Sequence, residues 1–259
     1  MKKAYFISDL HLGARYLPDA AASERRVVSF LQSIADDAAE LYLVGDVLDY
    51  WFEYRNVVPR GFVRFFGQLA RMADSGVRIT WLIGNHDIWI FDYLPAELGI
   101  SVVRDELDTD VLGTRFYMAH GDACGAARSF RAIRAIFRNR FCQKCYAAIH
   151  PRLTVPFALR WSRASRSSDT PGGERGIKAL EKFSRARLAR FPATRYFVFG
   201  HWHVAVRRRI APDAEVVVLG DWIEHFTYAC FDGASLHLRR WPDDEEITLE
   251  NQHQSNSLS

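Results

Sequence analysis

The chain has 259 residues, 49% hydrophobic and 25% charged, with a formal net charge of +3. That balance describes a globular domain with ample length for a large core, and excludes a fibrous or disordered chain. No run reaches the 18 or so apolar residues of a membrane-spanning helix, and the N-terminus lacks a cleavable signal pattern. The expected location is therefore the cytoplasm.

The first half alternates strands and helices. A strand over 3–8 precedes a helix near 20–38, starting around Ser23. A strand over 41–45, a helix near 60–74 and a strand over 77–83 follow, and 101–119 reads as short strands joined at Gly113-Thr114. This β-α-β-α-β order predicts an α/β fold with a largely parallel sheet. From 124 to 190 the pattern turns helical. Phe130, Ile133, Phe137 and Phe141 recur at helical intervals between arginines, with breaks expected at Pro151, Pro156 and Pro171. A basic helix over 176–190 carries Ile177, Leu180, Phe183 and Leu188 on one side. Strands return at 195–199, 204–210, 215–219, 226–231 and 235–240. The expected division is a core of 1–123 and 191–241, a helical cap inserted at 124–190, and a polar, unstructured tail over 242–259.

Charge is distributed unevenly. Residues 124–190 hold 16 Lys/Arg against 3 Asp/Glu, a net of +13, which leaves −10 for the rest of the chain. Such asymmetry predicts an anionic partner for the basic segment. The four cysteines, Cys124, Cys142, Cys145 and Cys230, are expected as free thiols. Cys142-x-x-Cys145 has no second Cys/His pair at zinc-site spacing.

Five polar motifs carry the chemistry: Asp9-x-His11, Gly45-Asp46, Gly84-Asn85-His86-Asp87, His120-Gly121-Asp122 and Gly200-His201-x-His203. Each follows an apolar run that reads as a strand, so their side chains can converge on one sheet edge. Each supplies carboxylate, amide or imidazole donors suited to metals. Single motifs of this kind are often turn residues; five in succession are not. Asp221 and His225 also follow a strand, and the simpler reading makes them strand-end polar groups.

In this order the motifs resemble those of the calcineurin-like metallophosphoesterases, over roughly residues 4–240. Phe6–Gly13, Tyr42–Asp46, Trp51–Tyr54 and Leu219–Trp222 give a narrower resemblance to UDP-2,3-diacylglucosamine pyrophosphatases of lipid A synthesis, which release UMP and diacylglucosamine 1-phosphate. The resemblance implies a layered αββα sandwich with a helical cap. It implies that Asp9, His11, Asp46 and His203 hold one divalent cation and Asp46, Asn85, His120 and His201 a second. Mn²⁺ is expected, and Fe²⁺ or Zn²⁺ suits the same donors. Two cations ~3.5–4 Å apart clamp the oxygens of an in-line displacement at phosphorus.

Asn85 and His86 are expected against the phosphate, His86 as hydrogen-bond donor or general acid. Asp87 either orients His86 or caps a turn. Some relatives carry arginine where His86 stands, and the common pattern has Thr and Arg at Trp202 and Val204. In the cap, Arg163, Arg166 and Lys178 are the candidate substrate contacts. Its apolar residues are expected to meet acyl chains or the inner leaflet of the membrane, with peripheral attachment. Nucleic acid is not expected, because Phe/Trp-rich helices suit lipid better than stacked bases. The alternatives are a phosphoesterase for nucleotides or phosphodiesters and, less in keeping with a full ligand set, a non-catalytic membrane-docked scaffold.

Overall fold

The computed structural model describes residues 2–124, 128–168 and 173–250, with backbone alone for 128–132, 161–168 and 250. Two sheets face each other. The first has the order β12-β11-β10-β1-β2-β3-β4, built from β1 (Lys3–Ile7), β2 (Ala38–Val44), β3 (Arg78–Leu82), β4 (Ser101–Val103), β10 (Thr227–Phe231), β11 (Leu236–Arg240) and β12 (Glu245–Glu246). The second has the order β13-β8-β9-β7-β6-β5, built from β5 (Glu106–Val111), β6 (Thr114–Ala119), β7 (Thr194–Phe199), β8 (Ala205–Ala211), β9 (Ala214–Leu219) and β13 (Leu249–Glu250). β1 to β4 run parallel, as do β6, β7 and β9.

The two-residue period of each strand divides its side chains between two cores. Ala4, Phe6, Tyr42 and Val44 meet Phe116, Met118, Tyr196, Val198, Val217 and Leu219 between the sheets. The alternate residues, Tyr5, Ile7, Leu41 and Leu43, turn outward to α1 (Ala20–Ile34) and α2 (Val63–Asp74). On the second sheet Tyr117, Phe197, Phe199, Val216 and Val218 turn outward to Ile177 and Leu180 of α7 (Glu174–Leu188). The layers are therefore α, β, β, α.

Several boundaries differ from the sequence reading. α1 starts at Ala20, because the Asp19 carboxylate caps the Ala22 N–H at 2.8 Å. α3 (Tyr93–Leu98) is too short to show a period; its start is fixed by Glu53, whose Oε2 accepts from the N–H groups of Phe91, Asp92 and Tyr93. The insertion comprises α4 (Arg128–Arg138), α5 (Arg140–Ala148) and α6 (Pro151–Ser168). α7, expected as part of the cap, is instead the outer layer of the second sheet. Pro156 lies inside α6 rather than ending it. The lost backbone bond is offset by packing, since Val155, Ala158 and Leu159 join the first core.

The expected tail is ordered through Glu250. β12 pairs with β11, β13 pairs with β8, and Ile247 packs on the inter-sheet core. Strands of two residues leave no periodicity to read. Residues 251–259 lie outside the described residues.

Candidate dimetal centre

The parallel strands β1, β2, β3, β6 and β7 deliver Asp9, Asp46, Asn85, His120 and His201 to one end of the sandwich. Asp9, His11, Asp46, His201 and His203 all take positive φ, between 43° and 69°. Asp, Asn and His enter this region more readily than other residues with a Cβ, and strain of this kind gathers at functional sites. The turns are held by the ligands themselves. The His201 N–H donates to Asp9 Oδ2 at 2.9 Å and the His86 N–H to Asp46 Oδ1 at 2.8 Å.

Among the described residues the donor atoms form overlapping groups within 4.8 Å: Asp9, His11 and His203; Asp46, His120 and His201; and His11, Asp46 and His86. Asp9 Oδ1 is fully buried and accepts no hydrogen bond, with His203 Nε2 at 3.5 Å and His11 Nε2 at 3.7 Å. Asp46 Oδ2 lies 3.2 Å from His120 Nε2 and 3.8 Å from His11 Nε2, so it stands between the two groups.

His120 shows what the centre is built to hold. Its Nδ1 is 3.0 Å from the Val44 carbonyl oxygen, which can only accept, so Nδ1 donates. In the neutral ring Nε2 is then a lone pair, facing Asn85 Oδ1 at 3.1 Å and Asp46 Oδ2 at 3.2 Å. That arrangement is satisfied by a positive charge at this point, a proton on Nε2 or a metal ion in its place. Burial opposes a charge on His120, but Asp46 and Asp9 outweigh it and raise its pKa well above that of ordinary histidine. Burial likewise opposes ionising Asp46, yet His120, His86 and His11 hold its carboxyl well below the usual range. The clustered carboxylate and imidazole donors suit divalent cations.

Next to them, the His86 ring turns its Nε2 to within 3.9 Å of Asp46 Oδ2. Its Nδ1 is 3.2 Å from the Asp49 carbonyl and 3.6 Å from Asp49 Oδ1. The orienting role expected of Asp87 therefore falls to Asp49. Asp87 is itself a loop clamp, accepting from Val47 N, Gly84 N and Trp81 Nε1 at 2.7–3.0 Å. It ties the Asp46 loop to the Asn85 loop, and its burial, then the nearby Asp46, push its carboxyl up to about 6.

Lys178 projects from the exposed side of α7 and pairs with Glu174 at 3.7 Å. It stands two residues beyond Gly176, where a Cβ would come within 2.5 Å of the Trp202 ring. The side chains of Arg163 and Arg166, with those of Phe130 and Trp161, lie outside the described residues.

Three features go beyond what the sequence reading assigned: Asp49, which it did not single out, and the roles of Asp122 and of Asp221 with His225, which it named. Asp49 falls in Gly45-Asp-x-x-Asp49 and lies 3.6 Å from His11 Nδ1 as well as beside His86. Asp122 is buried and bridged by Arg134 Nε at 2.9 Å, which fastens α4 to the His120 loop. Asp221 and His225, read as strand-end groups, lie against His203, with Asp221 Oδ2 3.7 Å from its Nδ1. The signal for Asp221 was present: Leu219-Gly220-Asp221 repeats the hydrophobe-Gly-ligand pattern of Val44-Gly45-Asp46 and Phe199-Gly200-His201.

Comparison with known proteins identifies the family. Residues 2–205 match the calcineurin-like phosphoesterase family model. The chain is 39% identical to a UDP-2,3-diacylglucosamine hydrolase of Porphyromonas gingivalis, over 94% of this chain and 99% of that one. It is 28% identical to a protein of the same name from Neisseria meningitidis, over 88% of this chain and 92% of that one. Among solved structures, a dimetal phosphatase from Danio rerio is 15% identical with a TM-score of 0.47, covering 96% of this chain and 98% of that one. With the family model spanning residues 2–205 and a relative 39% identical over nearly its whole length, the chain belongs to the calcineurin-like phosphoesterases.

Proposed function

We propose that the protein hydrolyses the diphosphate of UDP-2,3-diacylglucosamine, giving UMP and 2,3-diacylglucosamine 1-phosphate. The observation that carries the reaction class is the set of acceptor atoms turned on one another around Asp46. The 39% identity to a hydrolase named for this lipid, over nearly all of both chains, supports the substrate. Two divalent cations held by Asp9, His11, Asp46, Asn85, His120, His201 and His203 would supply an activated water and neutralise phosphoryl charge. Mn²⁺ is the proposed metal, since carboxylate and amide oxygens form nearly half of the donors.

The remaining work falls to this chain's own groups. Asn85 and His86 sit where the phosphate must enter. In its doubly protonated form His86 would donate from Nε2 to a phosphoryl or leaving oxygen, while the Asp49 carbonyl accepts from its Nδ1 and keeps the ring turned inward. Arg163, Arg166 and Lys178 are proposed to meet the anionic parts of the substrate.

The cap is the proposed contact with the inner leaflet. Phe141, Leu153 and Phe157 on α5 and α6 are 61–74% exposed, within the strongly basic stretch of the chain. Apolar side chains beside cationic ones favour an anionic lipid surface. No helix among the described residues is long and apolar enough to cross a membrane, so attachment would be peripheral, on the cytoplasmic side.

Metal-stripped protein reloaded with Mn²⁺ is expected to release UMP from the lipid in detergent, followed by phosphorus NMR. Asp46→Ala is expected to lose at least about a hundredfold in rate, because even the outer partners of metal ligands act on that scale. Turnover of simple aryl phosphodiesters with the lipid left intact would overturn the substrate. Protein pelleted with phosphatidylglycerol vesicles should be freed by combining Phe141→Glu with Phe157→Glu; equal pelleting of the variant would overturn the membrane contact.

A further inference from the structure

We infer that Asp221 is a positioning residue of the metal centre, holding the His203 imidazole so that Nε2 faces Asp9. The inference rests on the dimetal reading above and reaches a residue outside the five motifs.

Asp221 lies in the loop just after β9, which runs parallel to β7 and so delivers that loop to the same end as His201. The loop is fastened to the first ligand segment. The Trp222 N–H donates to the Asp9 carbonyl at 3.1 Å, and Ser8 Oγ lies 3.4 Å from the Gly220 carbonyl oxygen. Trp222 Nε1 donates to the Thr227 carbonyl at 2.9 Å, and Thr227 Oγ1 to that of Leu219 at 2.6 Å, which close the loop on itself. The carboxylate is buried, so its direction is set by these contacts rather than by solvent.

Its two oxygens do different work. Oδ1 accepts from the backbone N–H groups of Ile223, Glu224 and His225 at 2.7–3.2 Å, a turn cap. Oδ2 takes no part in the turn. It accepts from His225 Nδ1 at 2.6 Å and lies 3.7 Å from His203 Nδ1. The far nitrogen of His203 is 3.5 Å from Asp9 Oδ1, the buried oxygen that accepts no hydrogen bond. A carboxylate on one side of an imidazole keeps the proton on the nearer nitrogen and leaves the farther one as a lone pair for a metal. His203 needs such a fixture because it is a third exposed, unlike Asp9 and His11. His225 saturates the other side of Oδ2, so the oxygen points at His203 in one direction.

Asp221→Asn separates the two roles. An asparagine keeps its carbonyl oxygen on the three backbone amides and turns NH₂ toward both imidazoles, where it cannot accept. In metal-stripped full-length protein titrated with Mn²⁺ by calorimetry, the wild type should bind two ions. The variant should bind one as before and the other about 10- to 100-fold more weakly, the usual effect of removing an outer partner. Its metal-free melting temperature should match the wild type. Two unchanged affinities would overturn the inference and leave Asp221 as a turn cap. A wild type that binds fewer than two ions would overturn the dimetal reading, and this inference with it.

Should the variant not fold, the wild type loaded with Zn²⁺ gives a second test. Nitrogen-15 NMR should show His203, assigned by the loss of its signals in His203→Gln, protonated at Nδ1. A His203 protonated at Nε2 instead would also overturn the inference.

Discussion

Glycine fixes how closely the ligand loops approach. A Cβ on Gly84 would overlap the backbone nitrogen and Oδ1 of Asp46, and one on Gly45 would overlap the His120 ring. One on Gly200 would come within 2.6 Å of Asp9 Oδ2. Gly84→Ala is therefore expected to displace the shared carboxylate. Metal content by elemental analysis should fall below two per chain, and hydrolysis by at least about a hundredfold. Full metal content and normal turnover would refute it. The candidate ligands stand out in sequence because their chemistry is specific and their spacing short. Asp49 and Asp221 were harder to read, since one acidic residue past a strand is commonplace. The partners of Asp87 are two backbone amides and Trp81 Nε1, which only the folded chain brings together.

Among the elements, the cap is docked as a body rather than hung on a flexible stalk. Tyr54 Oη and Thr154 Oγ1 are 2.6 Å apart, and the hydroxyls of Tyr50 and Tyr146 are 3.1 Å apart. The Tyr146 ring stacks on Trp89, whose Nε1 donates to the Phe137 carbonyl at 2.9 Å. These contacts join all three cap helices to the segments that follow β2 and β3. Tyr54→Phe removes one partner of a part-buried pair and should lower stability by about 1 kcal/mol in denaturant unfolding. A change below the ~0.5 kcal/mol at the low end for one hydrogen bond would mean that Thr154 finds another partner. The sequence marked this region as helical and basic, correctly in its type. It could not separate α7 from the cap, because an arginine-rich amphipathic helix reads alike over a sheet and over a membrane. What decides is the partner: Ile177 and Leu180 face Phe197 and Phe199.

For the molecule as a whole, folding and metal binding are linked, because no single segment carries a complete ligand set. Ions that bind the native state and not the unfolded chain add about 2.7 kcal/mol at a hundred times their dissociation constant. In a protein of this size that amounts to about 5–10 °C in melting temperature. Chelation should lower the melting temperature on this scale, and Mn²⁺ should restore it; a melting curve indifferent to chelator would argue against a native dimetal centre. The alternation of strands and helices was legible from order and period, the two-sheet sandwich only through the family resemblance, and the pairing of the last short strands not at all.

The placement of β1 has a consequence for how the protein is made. It lies inside the first sheet beside β10, and the His201 N–H reaches Asp9 across 192 residues of chain. At the ribosome's pace of about 5–20 residues per second, Asp9 emerges some 10–40 s before that partner exists. During that interval β1 lacks its β10 neighbour and the early ligands lack theirs. β1 must therefore wait, paired on one side only, until β10 is synthesised.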